Sequence, residues 1–230
     1  MYSHGGYLYV VGGWDNGCSC SRSEHYRLAE NGNGWETRAG YPRVIHRHTS
    51  VVDEPNDRVF VLGGNDNHHN RAEVYIYTFS SNSWSHHSNM PFSHVEVAST
   101  IIKQNNDERW LFIQRRDHVE LYYYNLDTNS GWHHASNQIF KHSNNAMMVS
   151  LTPYTTFIMG AWSNHKSNSR ENFWVYNSER RKFESITRNV KVEHSWGYWT
   201  TSPKNWTVFD SCRAERTYVA VGWGNHDYVR

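Results

Sequence analysis

Little in this chain pulls it toward a bilayer or a nucleic acid. No apolar run approaches the roughly 18–20 residues of a membrane span, so no membrane association is expected. Basic and acidic side chains nearly cancel, leaving a formal charge of +1, and no global field draws the chain to nucleic acid or to an anionic surface. The opening Met1-Tyr2-Ser3-His4-Gly5-Gly6 lacks the basic and apolar regions of a secretory signal, so the cytoplasm is the expected compartment. Three cysteines, Cys18, Cys20 and Cys212, are too few for a disulfide framework and fit a reducing environment. No stretch carries a sustained helical stripe.

Chemical templates are missing as well. The chain holds no Gly-x-Ser-x-Gly elbow, no Gly-x-x-x-x-Gly-Lys loop and no His-Glu-x-x-His helix, which removes the usual signatures of acyl transfer, nucleotide binding and metalloproteolysis. Cys18 and Cys20 are separated by one residue, too few for the common zinc pairs. No catalytic residue, metal or cofactor is expected. Asn205-Trp206-Thr207 is the one glycosylation sequon, read as incidental where no signal peptide is seen. Arg180-Arg181-Lys182 is a solvated turn, too short for a nucleic-acid patch.

What is present is aromatic and periodic. Phe, Trp and Tyr make up 15% of the 230 residues, including 11 Trp and 15 Tyr, a bias that favours strands. The stretch 58–84 shows the unit: an apolar run Val59-Phe60-Val61-Leu62 ending in Gly63-Gly64, a second run through Tyr75 and Tyr77, then Trp84. Paired glycines closing a strand mark positive φ or a close backbone approach. The aromatic after the turn recurs at Trp35, Trp84, Trp132 and Phe183, in steps of 49, 48 and 51 residues. Tyr26, Tyr77, Tyr124 and Tyr176 precede it. The glycine position falls at Gly12-Gly13 and Gly63-Gly64, then becomes Gln114-Arg115, Gly160-Ala161 and about Ser211-Cys212. Pro55, Pro153 and Pro203 precede three of these strands, with Asn106 or Asp107 in that role in another copy.

A period of about 50 residues with several strands per unit marks a propeller blade rather than a helical solenoid. Strands are expected at 58–62, 73–79, around 84–87 and, opening the next unit, 96–102. Inner strands apolar on both faces fit a sheet sandwiched between two others, with the tryptophan between blades.

These residues resemble the kelch repeat: Gly63-Gly64 after an apolar run, Tyr77 before Trp84, then Met90-Pro91 leading to the next strand. The first unit matches with Val10-Val11-Gly12-Gly13, Tyr26, Trp35 and Pro42-Arg43. The third departs at Gln114-Arg115 and the fourth replaces tryptophan with Phe183. The resemblance covers nearly the whole chain and implies an all-β, kelch-type β-propeller of four-stranded blades. One domain, 1–230, is expected to hold about four to five blades, with units near 1–45, 46–93, 94–141, 142–192 and 193–230. The first unit is read without its innermost strand and the last with three strands, near 195–201, 206–209 and 217–221. An incomplete ring would leave open edges that invite association with another chain. Cysteines are read as free thiols, with a Cys18–Cys212 bridge conceivable if the ring closed tightly.

The resemblance implies a non-catalytic binding scaffold that recognises a protein partner through rim loops, with a glycan as a further class of partner. The rim loops are 65–71, 15–23 and 163–170, rich in Asn, His, Ser and Arg. Asn65, Asp66, His68, His69 and Arg71 are candidate contacts. Four of the 16 histidines recur with the unit, His46, His94, His142 and His194, in steps of 48, 48 and 52 residues. They would gather near one channel mouth, where imidazoles respond to pH; a repeat position inherited without function is the competing reading. His86-His87 and His133-His134 read as surface residues. The alternatives are a self-associating structural protein, or a carbohydrate-active enzyme of the galactose-oxidase or sialic-acid-epimerase type. Arg43, His46, Glu96 and Glu193 are that enzyme's candidate residues.

Overall fold

Every described unit folds as an antiparallel meander, because short apolar runs separated by turn residues pair most easily with their chain neighbours. The computed structural model describes residues 1–29, 32, 34–115, 120–136, 147–159, 173–180, 182–185, 206–210 and 217–221. Among them one 3-10 turn, Glu54–Asn56, interrupts the strands, and there is no α-helix. No helix of the described residues is long and apolar enough to cross a membrane.

The first sheet joins β1 (Tyr2–His4), β2 (Tyr7–Asp15), β3 (Cys20–Ala29) and β4 (Trp35–Thr37) in that order. The second joins β5 (Thr49–Asp53), β6 (Arg58–Leu62), β7 (Glu73–Thr78) and β8 (Ser83–Asn89). The third holds β9 (Ala98–Lys103), β10 (Arg109–Gln114), β11 (Leu121–Asn125) and β12 (Trp132–Ser136). The fourth holds β13 (Met147–Thr152), β14 (Thr155–Met159), β15 (Phe173–Asn177) and β16 (Lys182–Ser185). A two-stranded sheet pairs β17 (Trp206–Asp210) with β18 (Thr217–Val221). The expected strand at 195–201 lies outside the described residues.

The structure supplies the innermost strand that the sequence reading denies the first unit. Tyr2–His4 pairs with β2, and His4 stands opposite Tyr7 across the two-residue turn Gly5-Gly6. Both glycines take positive φ, 55° and 77°, the geometry of the tight hairpins that match strand twist. Three residues before that turn therefore suffice. The strand expected at 96–102 starts later, at Ala98, because Glu96 takes a left-handed φ of 56° that a strand cannot continue.

First strands of successive sheets lie side by side: β1 against β5, β5 against β9, and β9 against β13. Among the described residues three cores sit between sheets. Tyr2, Tyr9 and Val11 meet Val59, Val61 and Tyr77 between the first and second sheets. Phe60, Leu62 and Val74 meet Leu111, Ile113 and Tyr124 between the second and third. Ala98, Ile102 and Phe112 meet Met148, Ile158 and Tyr176 between the third and fourth. The two-residue period of a strand explains this: Val59 and Val61 serve one core, Phe60 and Leu62 the next. Each such side chain, fully buried, contributes about 1.5–3 kcal/mol of transfer free energy.

Ion pairs seal the same seams. The buried Asp53 carboxylate accepts from Arg58 Nε at 2.8 Å in its own sheet and from Arg109 Nη1 at 2.9 Å in the next. Arg109 also pairs with Asp127. Arg47 Nε donates to the buried Glu96 carboxylate at 2.6 Å.

Candidate binding rim

Glycine geometry shapes this candidate site. Gly12 has φ +56°, and a Cβ there would lie 2.5 Å from the Ile45 carbonyl oxygen; Gly63 has φ +60°, with a Cβ 2.5 Å from that of His94. Only a bare backbone in the left-handed region lets the following connector pass so closely. The next glycine of each pair then donates its N–H to that connector, Gly13 to Ile45 O at 2.8 Å and Gly64 to His94 O at 2.9 Å.

This places Ile45, not His46, at the position of His94. The one-residue offset is already visible in the sequence, where His46 follows Pro42 by four and His94 follows Pro91 by three. His46 exchanges backbone hydrogen bonds with Asn65, while its Nδ1 meets Ser21 Oγ at 2.6 Å. His94 turns toward Val95 O, 2.8 Å from its Nδ1, and its ring neighbours Phe92. The two imidazoles sit in different settings. His142 and His194 lie outside the described residues. Among the described residues no three His, Cys, Asp or Glu side chains converge on a point where a metal ion could sit.

Loop 65–71 is held by its own polar groups. Asn65 Nδ2 donates to Asn70 Oδ1 at 2.9 Å, and Asn65 Oδ1 accepts from the Asn67 N–H at 2.9 Å. Asp66 Oδ1 accepts from the N–H groups of His68 and His69, at 3.2 and 2.9 Å. Arg71 pairs with the Asp66 carboxylate, and its N–H donates to Gly64 O at 2.8 Å. Asn67, His68, His69 and Asn70 are left exposed. Asx turns of this kind explain why these residue types form a shaped loop.

The segment 15–23, read as a loop, is mostly strand. β2 and β3 run on beyond the glycine pair, with Trp14 opposite Ser21 and Asp15 opposite Cys20. A register shift between Val11 and Gly13 lets the hairpin continue past the sheet. The free-thiol reading of Cys18 and Cys20 is corrected: the two form a disulfide with Cα atoms 5.2 Å apart. The tight turn, with Ser19 at φ 51°, folds residue 20 back beside residue 18. Loop 163–170 and Cys212 lie outside the described residues.

The second loop leans on this hairpin: the Ser21 N–H donates to Asn67 Oδ1 at 2.5 Å. The His46 ring lies against the half-exposed Trp14 indole, centroids 4.9 Å apart. Burial, with Arg47 nearby, holds the His46 pKa below its ordinary value. Trp14 escaped the sequence reading, and Ser21 entered it only as part of the segment 15–23. Their signal was faint: Trp14 follows the glycine pair at the place Asn65 holds in the next unit.

Other histidines serve the cores. His25 is buried; its Nδ1 lies 3.1 Å from Ala39 O, and its Nε2 2.9 Å from Tyr2 Oη. A carbonyl only accepts, so Nδ1 carries the proton and Nε2 accepts from the tyrosine. Desolvation pushes His25 down to about 4. His87, read as surface, instead packs its ring 5.4 Å from Phe60 and 4.8 Å from Tyr124. The bulge between Val74 and Tyr75 turns it inward, and burial pushes it down to about 4.

Of the candidate enzyme residues, His46 and Glu96 lie close enough to interact electrostatically. Arg43 pairs with Glu73 at 3.5 Å and Glu96 with Arg47, while Glu193 lies outside the described residues. A scan against protein-family models finds no match, and a search of curated proteins finds none.

Proposed function

We propose that this chain is a kelch-type β-propeller of about four to five blades that acts, without catalysis, as a scaffold recognising a protein partner through its rim loops. Several observations support the fold reading: successive four-stranded meanders, adjacent first strands and glycines against the following connector. The observation that carries the functional reading is loop 65–71. Its side chains lock one another and brace on the neighbouring hairpin through Asn67, while His68, His69 and Asn70 face solvent. A preordered loop on a rigid scaffold binds with little loss of conformational entropy.

The test is co-purification followed by cross-linking with the wild type and with a His68→Ala/His69→Ala/Asn70→Ala variant. One saturable protein partner should cross-link to this loop, and the variant should lose it at unchanged thermal unfolding. A partner retained in full by the variant, or cross-linked only elsewhere, overturns the reading.

A further inference from the structure

Trp14 keeps 49% of its surface in water, at the end of a strand whose neighbours are polar and electrically balanced. Ser21, directly opposite, organises the surroundings. It is almost fully buried, its N–H holds the Asn67 carboxamide at 2.5 Å, and its hydroxyl holds His46 Nδ1 at 2.6 Å. With Oδ1 engaged there, Asn67 has Nδ2 to offer as a donor. The His46 ring flanks the indole at an interplanar angle of 56°. Its lowered pKa leaves it neutral near pH 7, so it offers hydrogen bonding rather than charge.

The charges around this point are already engaged: Asp15 with Arg22, Asp66 with Arg71, Arg47 with Glu96. An anionic or cationic ligand finds its counter-ions in use. Beyond Trp14 the hairpin is closed by the Asp15–Cys20 pair and the Cys18–Cys20 disulfide, so the indole is presented on a constrained strand end.

We propose that Trp14 is the stacking platform for one neutral sugar residue, a hexose or N-acetylhexosamine, carried by the partner that the rim recognises. A pyranose has one face of C–H groups and a rim of hydroxyls. It needs a flat apolar surface edged by a few neutral donors and acceptors, which an indole, a carboxamide and a neutral imidazole supply. The inference rests on the rim being a recognition surface and adds the chemistry of what it reads.

Saturation-transfer NMR on the whole chain at millimolar lactose, mannobiose and N,N′-diacetylchitobiose tests it, with sialyllactose as the charged control. At least one neutral disaccharide should receive saturation, and Trp14→Ala should weaken its binding about tenfold, as loss of an aromatic anchor does, without shifting thermal unfolding. Trp14→Tyr should retain most of the affinity, and sialyllactose should bind no better than lactose. Should Trp14→Ala fold poorly, Trp14→Gln keeps the reach without the aromatic face and should show the same loss. The proposal is overturned if none of the neutral sugars binds, if the Trp14 variants bind as well as wild type, or if the sialylated control wins. Absent sugar binding with a protein partner still lost by the His68/His69/Asn70 variant would remove the sugar platform alone. Absence of both would remove the rim reading with it.

Discussion

Trp84 and Trp35 occupy the same place in successive units and have different surroundings. Trp84 stands opposite Tyr77 and donates its indole N–H to Ala39 O of the preceding unit at 2.7 Å. Trp132, opposite Tyr124, likewise reaches back to Ser88 Oγ at 3.3 Å. Trp35 stands opposite Leu28 and is 50% exposed. Among the described residues no preceding sheet lies behind it. The tryptophan is thus an interface residue whose energetic role depends on a neighbour, not on its own sheet.

That contrast can be broken by substitution. Trp84→Ala removes a partly buried indole between Tyr41, Tyr77 and His25, and urea denaturation should show a loss of about 3–5 kcal/mol, the range for large aromatic truncations. A loss under about 1 kcal/mol would mean that the two sheets do not share a core in solution.

Acid attacks the same seam. The folded-state pKa of His25 is about 4, below the unfolded value of about 6.5, so the unfolded chain takes up the proton first. Its contribution is full above about pH 6.5 and falls away as the pH drops toward 4, by on the order of 3 kcal/mol. His25→Gln should flatten that slope in denaturation curves taken across the window; an unchanged slope would place the acid sensitivity elsewhere.

Gly63→Ala forces a side chain into a left-handed φ against the His94 carbonyl, and should cost about 2 kcal/mol in the same denaturation assay. Gly13→Ala, where φ is +116° with open space around the Cβ, isolates the conformational part and should cost less. Equal losses would show that the close approach of the connector is not maintained.

The smallest effect belongs to the uncovered tryptophan. Trp35→Ala should move stability by no more than about 0.5 kcal/mol, as at an exposed site. A loss comparable to that of Trp84→Ala would show that this face is covered in solution, either by a second copy or by another part of the chain.

Much of the unit was legible because strands alternate their faces. Arg58–Leu62 and Thr217–Val221 fall where apolar runs and turn residues place them, and apolar residues on both faces of β6 foretold two cores. Register was less legible. Tyr26, read as the tyrosine that precedes Trp35 in the repeat, stands opposite Thr37, and Leu28 takes the place of Tyr77. Leu28 and Trp35 pair seven residues apart, as Tyr77 and Trp84 do, so the hairpin keeps its length and it is the tyrosine that stands two places earlier along β3. Similarly Gln114, read at the glycine position, pairs with Leu121 as Leu62 pairs with Val74, which leaves Arg115 in the place of Gly63.

Of the candidate site, the residue types of loop 65–71 were readable and its partners were not. Nothing local ties Asn67 to Ser21, 46 residues away, or marks Trp14 as an exposed tryptophan. The order of residues alone determined the period, the strands and the bare-backbone positions, because those follow from side-chain alternation and φ preference within a few neighbours. Which tryptophan is covered, which histidine is buried neutral and which polar groups meet at the hairpin were decided only when separate sheets packed together. Those outcomes depend on contacts between units, and the desolvation and hydrogen bonding that set them have no counterpart in any single stretch of chain.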